Sequence, residues 1–348
     1  DYIRLGHPLS CILEWAIANK YNLKAENVIS FSSRTTPILA VLRKNLLDNK
    51  NTQIIYKGEL PAFFNAKILK EIYGYQFDLK QVASIDSLES YDGSTLLISE
   101  RNDLYNFDLN QNIDFYVNVH AELGSIMLIQ GNDNYISEIQ HVRRRETISM
   151  TPANSLVALN SLVNNVTVIA KPNESKRQST KEHVLASISK ITGANTDAVV
   201  ASSGLSMQYA IVMGLIHHAV ENHKGKAIKI IVPPNCYGGT NDQARRVAAC
   251  LDNVEVMDLP VDGDHNMVQS IDTVLGEIAQ MDAVPFIIAE IPTNPRVEVP
   301  DLIQLRDALS KERKTANGAN AIAPVFILDQ TFCPNTHFLG EEEILSSV

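Results

Sequence analysis

The sequence predicts an α/β fold with three α/β/α layers around a mostly parallel sheet, present as two tandem copies. Three observations lead there. Short apolar strands alternate with amphipathic helices of roughly ten to fifteen residues, the signature of βαβ units. The strand cores read as continuous apolar runs, which suits a sheet covered on both faces. The same order of elements occurs once in each half of the 348-residue chain.

In the first half an amphipathic helix, Leu9–Lys20, precedes a short strand, Asn27–Phe31. Ser32 and Ser33 then lead into a helix through about Leu47, followed by an apolar strand at Thr52–Tyr56 and another at Thr95–Ser99. Two β-rich stretches, Asp114–Ala121 and Ser125–Gln130, come before helices at Tyr135–Arg145 and Pro152–Val163. A polar stretch rich in Asn, Lys, Pro, Ser and Arg, Asn164–Thr180, separates the halves, so the copies are expected at 1–164 and 165–348. The second half repeats the order: helix Lys181–Ile191, strand Asp197–Ala201, Ser202-Ser203, and a helix through about Val220. Strands at Ala227–Val232, Pro285–Glu290 and Pro324–Leu328 follow.

Composition narrows the function. Hydrophobic residues make 45% of the chain and charged ones 20%, as in ordinary globular proteins. With 40 acidic and 30 basic residues the net charge is −10, which argues against nucleic acid as a main partner. No apolar run reaches the ~18–20 residues that cross a bilayer, and no secretory signal opens the chain. A cytoplasmic location is expected, although the chain begins with Asp1 and an upstream segment is conceivable. Cys11, Cys236, Cys250 and Cys333 form no CxxC pair, so neither a metal site nor a disulfide framework is expected. His217, His218 and His223 read as a solvated helix end, and Arg143-Arg144-Arg145 as a basic helix terminus facing the negative end of the dipole.

Four segments of the second half carry the chemistry. They are Ser202-Ser203-Gly204-Leu205-Ser206, Tyr237-Gly238-Gly239-Thr240, Glu290-Ile291-Pro292-Thr293-Asn294-Pro295 and Leu328-Asp329-Gln330-Thr331-Phe332. In this order and spacing they resemble the cofactor site of the Cys/Met-metabolism family of pyridoxal-phosphate enzymes, the cystathionine γ-synthase, β-lyase and methionine γ-lyase group. The resemblance covers the chain from about Asn195 on and is fainter before it. It implies the large domain of fold type I, the pyridoxal-phosphate-transferase fold, with pyridoxal 5′-phosphate as cofactor and a small amino acid as substrate.

The residues fit the demands of that cofactor. Ser203, Gly204 and Leu205 follow a strand and open a helix, where backbone N–H groups and the helix dipole favour a phosphate. A plain helix N-cap explains Ser-Ser-Gly equally well. By resemblance, Tyr237 stacks on the pyridoxal ring and takes part in proton transfer as the catalytic residue, and Asn294 meets the phenolic oxygen. Asp329, at a strand end, would keep the pyridine nitrogen protonated, although a lone Asp there is commonly a turn cap. Thr331 is a weaker pocket candidate.

At the aligned positions the first half carries Arg34 where the second has Gly204, and Glu122 where the family has its Schiff-base lysine. It keeps Tyr2-Ile3-Arg4 before Leu5-Gly6-His7-Pro8, similar to the family's Tyr-x-Arg arm, which binds phosphate across a dimer interface. Arginine's planar fork suits that task. The second half reads Val168-Ile169-Ala170-Lys171-Pro172-Asn173 there. A fused pseudo-dimer with one shared site is therefore expected, with further homo-oligomers open. No lysine follows Lys314, and the family's lysine would fall beyond Val348. The expectation is transsulfuration chemistry, elimination or replacement on activated homoserine or cystathionine, with a fragment that is itself inactive. A non-catalytic scaffold or regulatory pseudoenzyme is the alternative. A doubly wound nucleotide binder is disfavoured because no G-x-G-x-x-G or Walker loop occurs.

Overall fold

The computed structural model describes residues 3–168, 174–194, 197–261, 266–294 and 296–338. Their contacts form two units, Asp1–Pro172 with Ala201–Tyr209, and Asn173–Val200 with Ala210–Val348.

In the first unit α1 (Pro8–Lys20) starts at a proline, whose missing N–H is no loss in the first turn. His7 caps this helix, its Nδ1 accepting the Ser10 N–H at 3.3 Å while its Nε2 meets the Met150 carbonyl at 2.7 Å. Then follow β1 (Val28–Phe31), α2 (Thr36–Leu47), β2 (Thr52–Tyr56), α3 (Ala66–Glu71), β3 (Asp78–Gln81) and β4 (Ser94–Glu100). A hairpin of β5 (Phe115–His120) and β6 (Gly124–Ile129) leads to α4 (Ile136–Glu146) and α5 (Pro152–Asn164). The sheet order is β1-β6-β5-β4-β2-β3, parallel except for β6, which runs against both neighbours.

Strand residues alternate between two apolar layers. Ile29, Ile54, Leu96, Ile98, Phe115, Val117 and Met127 pack with α2 and α4 on one face. Val28, Ile55, Leu97, Tyr116, Ile126 and Leu128 pack with Leu13 and Ile17 of α1 and Ala158 of α5 on the other. Burial on both faces explains why the central strands carry apolar residues on both sides rather than in strict alternation.

The second unit holds α6 (Glu174–Thr192), most of α7 (Gly204–Asn222), β7 (Ile228–Val232), α8 (Gly238–Ala248) and β8 (Val254–Asp258). It continues with α9 (Met267–Gln280), β9 (Val284–Glu290), α10 (Leu302–Ser310) and β10 (Val325–Asp329). Its four strands are all parallel, in the order β10-β9-β7-β8. That order matches the run β5-β4-β2-β3 of the first sheet. Ile231, Ile287 and Ala289 face α9 and α10, and α8 packs on β7 and β8. No helix among the described residues is long and apolar enough to cross a membrane.

Two expectations need correction. The strand expected at Asp197–Ala201 does not form; these residues have no regular structure, and Val199 and Val200 are exposed. A β-prone run becomes a strand only where another strand takes its N–H and C=O groups, and none pairs with this one. Nor does the Arg143-Arg144-Arg145 run serve only the helix dipole. Arg143 is buried and donates to the Glu14 carboxylate at 2.7 Å, the Ser30 carbonyl at 3.1 Å and the Leu5 carbonyl at 3.2 Å. It thereby ties α4 to α1, to β1 and to the opening turn.

A second buried pair escaped the sequence altogether. Arg43 of α2 and Glu146 at the end of α4 meet in two hydrogen bonds, one between Nη2 and Oε2 at 2.9 Å, with both side chains 1% exposed. The Tyr209 hydroxyl lies 3.4 Å from the same guanidinium. Burial works against the Arg43 charge, but Tyr75 and Glu146 outweigh it and hold the guanidinium well above its ordinary range.

Removing one member of a buried pair leaves an uncompensated charge. Arg43→Met is therefore expected to lower unfolding stability by about 3–5 kcal/mol, and Arg43→Met with Glu146→Leu to restore most of it. Urea unfolding of the three proteins checks this. Asp272 offers a pH test: hydrogen bonds from Lys311 (3.0 and 2.9 Å) and Arg313 (2.6 Å) hold its carboxyl below the usual aspartate range despite some burial. A lowered folded pKa contributes stability above the unfolded value that is lost as pH falls through the folded one. Asp272→Asn should thus be less stable than the parent at neutral pH, and the two should converge in acid when unfolding is followed across pH.

Candidate functional site

Parallel strands bring all their carboxyl ends to one edge, and the sheet of the second unit reverses direction of growth between β7 and β9. From β7 the chain moves to β8 on one side, then crosses to β9 on the other, so the loops after β7 and β9 part and leave a crevice. A pocket of about 270 Å³ lies there. Pro233, Asn235 and Cys236 line it from the loop after β7; Glu290 lines it from the end of β9, and Thr293, Asn294 and Arg296 from the loop that follows.

One carboxylate organises the crevice. Glu290, the last residue of β9, is only 7% exposed. Its Oε1 accepts the Tyr237 backbone N–H at 2.8 Å and its Oε2 the Asn294 N–H at 3.2 Å. Burial raises its carboxyl above the ordinary glutamate range against the pull of the Tyr237 N–H, and Asp329 adds to the rise. Asp329 pairs in register with Glu290 on the neighbouring strand. Burial, followed by the nearby Glu290 charge, also pushes the Cys236 thiol up to about 12. A neutral thiol is a poor nucleophile, so Cys236 serves as pocket wall.

Tyr237, Asn294 and Asp329 thus follow three strands to the same edge. Tyr237 is half-buried at the start of α8, and Asn294 is half-buried in the pocket wall. Asp329 spends one oxygen on its own turn: Oδ1 accepts from the Thr331 N–H at 2.9 Å and the Thr331 hydroxyl at 2.6 Å. Its Oδ2 makes no hydrogen bond among the described residues. Thr331 is exposed, its hydroxyl turned onto Asp329.

The other predicted residues group with the first unit. Ser203 caps α7: its Oγ accepts the Ser206 N–H at 3.1 Å while the Ser206 Oγ accepts the Ser203 N–H at 2.8 Å. Before α2, whose N-cap is Thr35, the Ser33 Oγ accepts the Thr35 and Thr36 N–H groups at 3.2 and 3.1 Å without a reciprocal bond from its own N–H. Leu205 is buried at 5% exposure, and a Cβ built on Gly204 would meet no atom within 4 Å. Arg4 is half-buried in the opening turn, and Tyr2 lies outside the described residues. Arg34 stacks over the Phe63 ring at 5.4 Å, and Glu122 sits in the turn between β5 and β6. Among the described residues no group of His, Cys, Asp and Glu is arranged to hold a metal; His217 pairs with Glu221 at 3.2 Å.

Sequence reasoning quoted Glu290 as part of a motif and missed its work. The available signal was a carboxylate closing a wholly apolar strand directly before Pro292 and Asn294, where burial forces it to find donors.

No protein-family model matches the sequence, and no curated protein matches it. Among solved structures, Bna3p of Saccharomyces cerevisiae, a candidate kynurenine aminotransferase, is 16% identical at a TM-score of 0.33, over 54% of this chain and 60% of its own. Mouse CSAD is 14% identical at 0.36, over 62% and 48%. LysN, an α-aminoadipate aminotransferase of Thermus thermophilus solved with N-(5′-phosphopyridoxyl)-L-leucine, is 8% identical at 0.27, over 52% and 58%. The chain spans 48–60% of the length of these proteins. Likeness at such TM-scores carries no weight for activity, which has to be read from the residues.

The loop beside the pocket is strained. Val297 holds φ at 59°, fixed by its N–H to the Thr293 carbonyl at 2.8 Å and by the Glu298 N–H to the Thr293 Oγ1 at 3.0 Å. A β-branched residue is a true outlier there, whereas Asn tolerates the conformation. Val297→Asn is expected to raise stability by about 1 kcal/mol, read as a higher denaturant midpoint with an unchanged slope.

Proposed function

We propose that this chain is the cofactor-binding part of a pyridoxal-phosphate-dependent enzyme of sulfur amino acid metabolism. It would act in the cytoplasm on activated homoserine or cystathionine, by elimination or replacement. The observation that carries the reading is the gathering of Tyr237, Asn294 and Asp329 at the switch-point edge of a parallel sheet, with the first two held by Glu290. The four motifs and their resemblance to the cystathionine γ-synthase group supply the substrate class.

The residues fit the cofactor. Neither Gly204 nor Gly238 has a positive φ, and a Cβ on either would meet no protein atom within 4 Å. Both positions leave room for the close approach of a ligand. Asp329 has an oxygen without a hydrogen bond beyond its turn.

Pyridoxal phosphate, when bound, supplies an electron sink for breaking bonds at the substrate's α-carbon. The backbone N–H groups of Gly204 and Leu205, opening α7, would bind its phosphate, with Ser203 holding that turn through its exchange of hydrogen bonds with Ser206. Arg4, with Tyr2, would add a bidentate grip on the phosphate oxygens. Asp329 would hold the proton on the pyridine nitrogen, with Thr331 fixing the carboxylate's rotation. Asn294 would donate to the phenolic oxygen, and Tyr237 would lie against the ring and move a proton near the substrate.

The reading is of a fused pair of copies, the first at 1–164 having kept the arm and the second at 165–348 the pocket. One observation supports duplication, the shared strand order β5-β4-β2-β3 and β10-β9-β7-β8. A scaffold without catalysis is the second reading, favoured by the turn cap that Asp329 already makes.

Titration of residues 1–348 with pyridoxal phosphate, followed by equilibrium dialysis, is expected to show saturable binding at one site. Arg4→Ala should weaken it about ten- to a hundredfold, the loss of one charge-assisted contact. Asp329→Ala should weaken it too, and Arg34→Ala should leave it unchanged. Absence of saturable binding would overturn the cofactor reading; unaltered affinity in Arg4→Ala would remove the first copy from the site.

A further inference from the structure

We propose that Glu290 is a positioning residue: it sets the separation of Tyr237 and Asn294 by taking one backbone N–H from each on its two carboxylate oxygens. The proposal rests on the pyridoxal phosphate reading for the roles of those two side chains, but the clip itself is a matter of this chain alone.

The two donors come from loops far apart in sequence. Tyr237 follows β7 and Asn294 follows β9, and these are the loops that part at the switch point. Glu290 reaches both, at 2.8 and 3.2 Å, from a position 7% exposed. Because each oxygen serves one N–H, a shift of either loop breaks a hydrogen bond to a charged acceptor.

Nothing in the sheet itself demands a carboxylate here. The first unit shows the comparison: β4 occupies the place of β9 and also ends in a glutamate, Glu100. Glu100 is exposed, and Val119 stands opposite it where Asp329 stands opposite Glu290. The second unit instead buries one carboxylate beside another, which is unfavourable unless donors converge on it. The donors that converge are the backbone groups of two assigned site residues.

The test has a ligand-free arm and a ligand arm, using residues 1–348. Glu290→Gln keeps the shape but turns an NH₂ toward one of the two N–H groups, and Glu290→Asp withdraws both oxygens by one methylene. Amide hydrogen exchange at Tyr237 and Asn294 is expected to be slow in the parent and faster at one or both in each variant, with the rest of β7 and β9 unchanged. In the ligand arm, Glu290→Gln should weaken pyridoxal phosphate about tenfold. In an Asn294→Ala background the same substitution should cost less than threefold, because part of its effect passes through Asn294. Glu100→Gln should change neither readout. Unchanged exchange at both amides in both variants would sink the clip, as would strictly additive affinity losses. If the parent does not bind pyridoxal phosphate while the amides still respond, the functional reading fails and the clip stands.

Discussion

Parallel pairing is the constraint on which both units depend. Parallel strands cannot be joined by tight turns, so every connection crosses a face of the sheet, and the crossing helices cover it. Both faces are then dry, which is why β7 and β9 carry apolar residues at nearly every position. The carboxyl ends of the parallel strands also arrive at one edge, where the chain's loops must end the strands' hydrogen bonding with other donors and acceptors. The crevice between the loops after β7 and β9 follows from that geometry before any side chain is chosen.

Charges buried in such a structure act as fasteners because they cannot be left unmet. Arg43 and Glu146 join α2 to α4, and Arg143 joins α4 to α1 through Glu14. Each guanidinium sits where water cannot replace a lost partner, so the penalty for separating the pair exceeds anything a surface ion pair contributes. Glu290 follows the same rule with backbone N–H groups as partners, and so links the apolar end of β9 to the two loops that shape the crevice. Its proximity to Asp329 concentrates negative charge at one edge of the sheet.

The sequence by itself determined most elements and their kind. Helices expected at Leu9–Lys20, through about Leu47 and at Pro152–Val163 formed at Pro8–Lys20, Thr36–Leu47 and Pro152–Asn164, because apolar periodicity is a local signal. Strands β2, β4, β7 and β9 were legible as apolar runs bounded by turns. The second-sheet candidates Tyr237, Asn294 and Asp329 were legible as motifs at strand ends, with their convergence implied by parallel order. What only the tertiary structure decided was pairing across long separations. Asp197–Ala201 has the composition of a strand but no partner, and no local signal reports a missing neighbour. Arg43 finds Glu146 over a hundred residues away, and Glu290 finds the Tyr237 amide across fifty-three. The energy of such contacts comes from excluding water on all sides at once, a property of the packed molecule that no stretch of sequence possesses.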